Sequence, residues 1–113
     1  MLVPKSGIWI IPTSLFIREH LKTVGRDYGL NMWHKLRNER TMIGQKTGSW
    51  QVFRNCLWNL KKLGLIRPVE ERDSEYPNQK RIYYEIVPEK IHSKAWYNPR
   101  AFLYPDSYRF NRH

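Results

Sequence analysis

The segment from residue 49 to residue 63 constrains the fold of this 113-residue chain more than any other part of its sequence. Its apolar residues recur at the i, i+3, i+4, i+7 spacing that places side chains on one face of an α-helix. These residues are Phe53, Cys56, Leu57, Leu60 and Leu63. Ser49 precedes the stripe and can cap the helix, because its hydroxyl can accept a hydrogen bond from an amide of the first turn. Gly64 follows the stripe, so the sequence predicts an amphipathic helix over residues 49–63.

The N-terminal part of the chain predicts an apolar arm followed by a helix. Residues 1–12 contain the apolar run Ile8–Ile11 and are expected to form an arm or a short strand. Thr13 or Ser14 can cap a helix that runs to about Thr23. The side chains expected to face the core from this helix are Leu15, Phe16, Leu21 and Val24.

Two shorter helices are predicted between this first helix and residues 49–63. Residues 26–40 form one, because Met32, Trp33 and Leu36 recur there at helical spacing. The segment Thr41–Lys46 is expected to form a brief helix with Met42 and Ile43 as its buried pair. The turn that follows ends at Gly48, where glycine can take the positive φ that a tight corner between helices needs.

A β-hairpin is predicted after the helix of residues 49–63. Its first strand is Arg67–Arg72, and residues 73–79 are rich in turn formers. Its second strand, Lys80–Val87, alternates polar and apolar residues, as a strand with one buried face does. The residues expected on that face are Ile82, Tyr84 and Ile86.

The last residues, 89–113, are predicted to form an extended arm. Pro99 and Pro105 exclude a long helix there, and aromatic residues recur among basic ones. The chain therefore divides into an N-terminal arm or short strand (1–12), a domain of helices and hairpin (13–88), and a basic aromatic C-terminal tail (89–113).

Positive charge is unevenly distributed along the chain, whose net charge is +10. Residues 1–65 contribute +8 (eleven Lys/Arg against three acids), residues 66–88 contribute −1 (four against five), and residues 89–113 contribute +3 (five against two). Such an excess attracts polyanions, nucleic acid first and an anionic membrane second. No apolar run reaches the ~18–20 residues that span a bilayer. The single cysteine fits a reducing compartment. We therefore expect a cytoplasmic protein associated with the nucleoid or the ribosome and not with a membrane.

Residues 41–88 resemble the winged helix-turn-helix superfamily. The resemblance lies in Thr41, Ile43 and Thr47-Gly48-Ser49, in the helix ending Leu57…Leu60…Leu63-Gly64-Leu65-Ile66, and in the hairpin. It implies a winged helix-turn-helix fold of the α+β class, with three to four helices and a C-terminal two-stranded β-hairpin wing, to which the predicted extended C-terminal tail is added. Similar proteins are mostly DNA-binding transcription regulators, and some are ribosomal, RNA-binding or protein-docking modules.

The polar face of the helix over residues 49–63 predicts the nucleic-acid contacts. Gln51 and Asn55 could each pair with adenine and Arg54 with guanine, because these side chains match base edges in the major groove. The candidate base contacts are Gln51, Arg54, Asn55 and Trp58. The candidate phosphate contacts are Lys46, Ser49, Lys61, Lys62, Lys80 and Arg81. Polar residues of this kind also occur on any solvated amphipathic helix.

The sequence contains no motif that predicts an enzyme. The four histidines, at positions 20, 34, 92 and 113, are far apart and lack partners at metal-ligand spacing. Cys56 lies on the apolar stripe and is expected to be a small core residue. No glycine-rich phosphate loop or paired-carboxylate motif is present. We therefore expect no catalytic residues, no metal and no cofactor.

Three functions remain open at this stage. The first is a small transcription regulator that binds duplex DNA through the helix over residues 49–63. The second is a structural RNA-binding protein of the ribosome, favoured by the basic aromatic tail and by Trp50, Trp58 and Tyr83, which could stack on unpaired bases. Either tryptophan could instead belong to the core. The third is a protein-interaction module. The superfamily resemblance favours duplex DNA.

Overall fold

The structure is a computed structural model that describes residues 12–46, 48–77 and 79–104. Within these residues, four α-helices and a three-stranded antiparallel sheet form an α+β fold. The elements are α1 (Thr13–Val24), β1 (Asp27–Tyr28), α2 (Gly29–Met42), α3 (Trp50–Lys62), β2 (Ile66–Asp73), β3 (Lys80–Ile86) and α4 (Pro99–Leu103). The apolar run Ile8–Ile11, predicted as an arm or strand, lies outside the described residues. None of the helices in the described part is long and apolar enough to cross a membrane.

Helix α3 forms where the sequence predicts it. The Ser49 hydroxyl accepts a hydrogen bond from the Val52 amide at 3.3 Å, so the predicted cap is confirmed. At the other end Gly64 has φ +76°, and the amides of Gly64 and Leu65 donate to the carbonyls of the last helical turn. The predicted apolar stripe faces the core, where Phe53, Leu57 and Leu60 are buried and Cys56 and Leu63 are partly buried.

Helix α2 begins and ends later than the helix predicted over residues 26–40, and it takes in the start of the segment Thr41–Lys46. The brief separate helix predicted there is wrong, because the chain leaves α2 after Met42 through a glycine turn. Gly44 has φ +74°, its amide donates to the Thr41 carbonyl, and the next amide donates to the Arg40 carbonyl at 2.8 Å. This turn is the same type of glycine C-cap that ends α3. Met42, predicted as buried, is 86% exposed.

The sheet has three strands, in the order β1-β3-β2, where two were predicted. The additional strand, β1, is two residues long and pairs Asp27 with Tyr84 and Tyr28 with Tyr83. It lies inside the segment predicted as the start of a helix. The buried Asp27 carboxylate accepts hydrogen bonds from the Tyr28 amide at 2.8 Å and from the Asn31 side chain at 2.6 Å. These bonds hold the chain extended before α2 begins.

The β2–β3 hairpin forms as predicted, with strand bounds that differ by a residue or so. Pro68 lies on β2, which is an edge strand, and next to an irregularity in the pairing; these are the places in a sheet where proline is tolerated. The pairing shifts by one residue between Pro68 and Glu70. In the loop, the Ser74 hydroxyl donates to the Gln79 carbonyl at 2.9 Å and accepts from the Tyr76 amide. Ile82, predicted on the buried face, is 40% exposed because it lies towards this loop, beyond the reach of the core.

The described part of the C-terminal tail is not extended. Two 3-10 helices, Pro88–Lys90 and Lys94–Trp96, and helix α4 fold it back onto the domain. Pro99 begins α4 and does not interrupt a helix, because the first helical position needs no amide donor. Trp96 is fully buried in the core, and its indole nitrogen donates to the Lys90 carbonyl at 2.8 Å. The buried Ser14 hydroxyl donates to the Trp96 carbonyl and ties the segment to α1.

The core therefore joins three helices, the start of β2 and the segment after the sheet. Its buried apolar residues are Phe16, Ile17, Leu21, Met32, Leu36, Phe53, Leu57, Leu60, Leu65, Ile66, Ala95 and Trp96. On α1 the fully buried Ile17 was missed by the sequence analysis. Val24, predicted to face inward, is exposed because it is the last residue of α1, just before the turn at Gly25.

Replacing Trp96 with alanine tests whether the C-terminal segment is part of the core. We expect Trp96→Ala to lower the free energy of unfolding by about 3–5 kcal/mol, the usual cost of removing a buried aromatic side chain. Urea denaturation followed by circular dichroism would measure the change. Tyr97→Ala is the matched control, because Tyr97 is the next residue and is 63% exposed. Equal unfolding free energies for the two variants would contradict this description of the core.

Candidate nucleic-acid interface

The four candidate base-contact residues lie together on the solvent side of α3. We call this surface the α3 outer face; its residues are Gln51, Arg54, Asn55 and Trp58. All four are exposed, and together they line one shallow depression. The buried stripe of the helix determines this orientation, because residues three and four apart share a face and the remaining positions point outward.

Two side-chain amides on this face, those of Gln51 and Asn55, are joined by a hydrogen bond. The Gln51 side-chain amide donates to the side-chain oxygen Oδ1 of Asn55 at 3.1 Å, across one turn of helix. This bond uses one donor of Gln51 and leaves its carbonyl oxygen and the Asn55 amide group free for other partners. Each side chain thus keeps a donor and an acceptor while it loses rotational freedom, which reduces the entropic cost of binding a base edge.

The cations of α3 are not neutralised by carboxylates. Among the described residues, every ion pair involves α1, the loop after it or the β2–β3 hairpin, and none involves Arg54, Lys61 or Lys62. The sequence explains this, because residues 41–69 contain five Lys/Arg and no Asp or Glu. The Lys62 ammonium lies over the ring of Trp58, 4.5 Å from its centroid. The α3 outer face is therefore bordered by uncompensated positive charge.

The two predicted phosphate contacts on the hairpin are partly neutralised within it. The Lys80 ammonium lies 4.0 Å from the Asp73 carboxylate, and the Arg81 guanidinium lies 3.6 Å from that of Glu75. Arg81 also covers the ring of Tyr28, at 4.7 Å from the centroid. A phosphate would have to compete with these contacts, so the hairpin is a weaker anion site than α3.

The remaining predicted phosphate contacts lie near the N-terminus of α3. Ser49 is exposed and uses its hydroxyl as the helix cap. Lys46 is also exposed, and the residue after it, Thr47, lies outside the described residues. The first amides of a helix carry partial positive charge, so Ser49 and Lys46 border a terminus that favours anions.

The tryptophans of α3 have different environments. Trp50 is partly buried and stacks on Phe53, with 5.9 Å between the ring centroids, and its ring meets that of Trp33 edge-on. Trp58 is half-exposed. Tyr83, the third residue considered for stacking, is covered by the Arg72 guanidinium at 4.6 Å from its centroid. Of the three, Trp58 is the most exposed, with the Lys62 ammonium over one face of its ring.

A cleft between α3 and the β2–β3 hairpin was not predicted from the sequence. Its volume is about 500 Å³. Arg54, Trp58 and Lys61 line it from α3, and residues 74–76 and 79–82 line it from the hairpin. The signal for it in the sequence is weak, since it consists of the apolar residues Tyr76 and Ile82 within an otherwise polar turn region.

The single cysteine of the sequence, Cys56, is partly buried and lies near the buried Arg40 guanidinium. Burial raises the pKa of the Cys56 thiol to about 12, and the nearby Arg40 guanidinium opposes this shift. Burial likewise lowers the pKa of Arg40. The thiolate is therefore scarce at neutral pH. No group of three His, Cys, Asp or Glu side chains that could hold a metal ion occurs among the described residues.

The reactivity of Cys56 with a thiol reagent tests this environment. We expect native protein to react with Ellman's reagent much more slowly than protein unfolded in guanidinium chloride, because burial disfavours the thiolate and blocks access. Burial of the neutral thiol adds stability that is complete below the ordinary thiol pKa and is lost as pH rises towards about 12. The reaction is followed by absorbance across neutral to alkaline pH. Equal native and unfolded rates at neutral pH would contradict the expected burial.

Comparison of this chain with known proteins finds no matching family model, no similar curated protein and no similar solved structure. The features available are the α3 outer face, the uncompensated cations beside it and the cleft against the hairpin.

Proposed function

We propose that this chain is a winged helix-turn-helix protein that binds duplex DNA as a small transcription regulator, with α3 in the major groove. The order of elements supports this proposal, because α2 and α3 are joined by a turn and the β2–β3 hairpin follows α3 directly. Strand β1 adds to the edge of the hairpin at β3 and leaves that order unchanged.

The observation that carries the proposal is the chemistry of the α3 outer face. It combines two amides and a guanidinium, the groups that make paired hydrogen bonds with adenine and guanine in the major groove. The helix that presents them is rigid, since its other face is buried in the core. Because Arg54 has no carboxylate partner among the described residues, it can bind a base without first breaking an ion pair.

Phosphate contacts would position the protein on DNA without reading its sequence. Lys61 and Lys62 lie at the C-terminal end of α3, and Ser49 and Lys46 lie at its N-terminal end. Cations at both ends of the helix suit the two phosphate backbones that border a major groove. The hairpin contributes Lys80 and Arg81, whose pairing with Asp73 and Glu75 leaves them a smaller share of the binding free energy.

Structured RNA, as bound by a ribosomal protein, is the second candidate. The half-exposed ring of Trp58 favours it, because unpaired bases stack on aromatic side chains. The aromatic tail supports it less than its composition suggested, since Trp96 fills the core and is not available to a base.

Arginine-to-glutamine substitution at two positions tests the proposal. Arg54→Gln should cost about 1–3 kcal/mol of discrimination at one base pair, because a paired guanine contact is lost. Arg67→Gln is the matched control. Arg67 pairs with Glu85 at 2.7 Å, and Glu85 alternates with the cleft-lining Tyr84, so Arg67 lies on the sheet face turned away from α3.

The measurement has two steps. Duplexes that bind the unchanged protein are selected from a random pool, and fluorescence anisotropy then gives the affinity of each variant for the selected site and its single-base-pair changes. Arg67→Gln should weaken all duplexes slightly and equally. Equal losses for both variants on every duplex would refute base reading by α3. Folded RNA that displaces the selected duplex at equal concentration across a salt series would support the second candidate instead.

A further inference from the structure

The proposed function does not account for the cleft between α3 and the β2–β3 hairpin. Its volume of about 500 Å³ lies within the range of small-molecule sites. One wall is α3, the other is the hairpin, and Leu30 at the start of α2 also lines it. We call this feature the hairpin cleft.

The lining of the hairpin cleft is mainly apolar and aromatic. Trp50, Leu57 and Tyr84 form its partly or fully buried floor. Four large apolar side chains at its rim are exposed to solvent: Leu30, Trp58, Tyr76 and Ile82. Exposed apolar side chains gathered on the two walls of one cleft indicate a binding site more strongly than single exposed residues do.

Polar groups without protein partners also line the hairpin cleft. Arg54 and Lys61, on the α3 wall, have no carboxylate partner among the described residues. The pKa of Tyr84 is raised by burial, and the Arg54 guanidinium nearby opposes that shift. On the hairpin wall, by contrast, Arg81 is paired with Glu75. The unpaired positive charge of the cleft is thus concentrated on α3, above an aromatic floor.

We propose that the hairpin cleft is a binding site for a small aromatic anion. The rings of the ligand pack against Trp58 and the apolar rim, and its anionic group binds Arg54 and Lys61. A phosphate of a duplex backbone would satisfy the cations but leave the apolar rim in water, so it does not account for the cleft. An uncharged aromatic molecule would fill the rim but leave the cations without a partner.

This site would couple ligand binding to DNA binding, an extension that rests on the proposed function. Arg54, Trp58 and Lys61 belong both to the hairpin cleft and to the predicted nucleic-acid contacts. The ligand and the duplex therefore compete for the same side chains, and by linkage each lowers the affinity of the other. The ligand would release the protein from its DNA site.

A matched pair of fluorescent probes tests the binding site without any nucleic acid. 8-Anilinonaphthalene-1-sulfonate is an aromatic anion, and N-phenyl-1-naphthylamine has the same rings without the sulfonate. We expect the sulfonate to bind at one site and at least about tenfold more tightly than the neutral probe, because only the sulfonate can pair with the cations of α3. Fluorescence titration measures both affinities.

An aspartate introduced near either end of α2 tests whether the probe binds in the hairpin cleft. Leu30→Asp adds a negative charge at the rim of the cleft and in the first turn of α2, where the helix dipole favours an acidic side chain. We expect Leu30→Asp to lower the affinity for the sulfonate probe by about tenfold or more, because the substitution removes apolar surface and repels the anion. Met42→Asp is the control, because Met42 is exposed and does not line the cleft. Ile82→Asp repeats the test from the hairpin wall.

Three results would overturn the proposal: equal affinities of the two probes, equal sulfonate affinities of Leu30→Asp and Met42→Asp, or a stoichiometry of several weak sites. These outcomes are separate from the failure of the proposed function. If the two probes bind equally well while the protein still binds duplex DNA, the ligand site is refuted and the proposed function is not. Specific probe binding by a protein that binds no duplex refutes the DNA proposal and its regulation, and leaves the ligand site in place.

Discussion

Burial of one face of α3 is the interaction on which the rest of this structure depends. Leu60 is fully buried at the centre of that face, with Phe53 and Leu57 beside it and residues of α1 and α2 around it. Because a helix is rigid, fixing this stripe also fixes the direction of every other side chain on α3. The outward position of Arg54 and its neighbours follows from the core. The polar surface could not be rotated without exposing the apolar stripe.

Features that depend on local sequence were predictable here, and those that depend on distant contacts were not. The cap at Ser49, the stripe of α3 and the hairpin follow from residues close in sequence, and each forms. The separate helix predicted around Met42 is the exception among these local features: it does not form, because Gly44 ends α2 with a turn a few residues before the turn expected at Gly48. Trp96 was assigned to the tail, because its contacts with α1 and the core join residues that are far apart in sequence. The periodicity of α3 was enough to predict which four residues point outward. A cleft between two elements produces no periodic pattern in the sequence, so it could not be predicted in this way.

The distribution of ion pairs gives the two sides of the hairpin cleft different properties. Acidic residues of the hairpin hold its own cations, whereas α3 lies in a stretch of 29 residues, 41–69, without any acid. An incoming anion thus meets open positive charge on the helix and compensated charge on the hairpin. This asymmetry favours the helix as the anchoring surface for a phosphate and for a carboxylate or sulfonate alike.

The hydrogen bond from Ser14 to Trp96 joins residues 82 positions apart. Closing so long a span of chain is entropically unfavourable until the apolar contacts around the indole ring form with it. During translation, the buried side of α1 cannot be fully covered until the segment around residue 96 has been synthesised. Until that segment is present, the nascent chain exposes an apolar surface on α1 of the kind that chaperones bind.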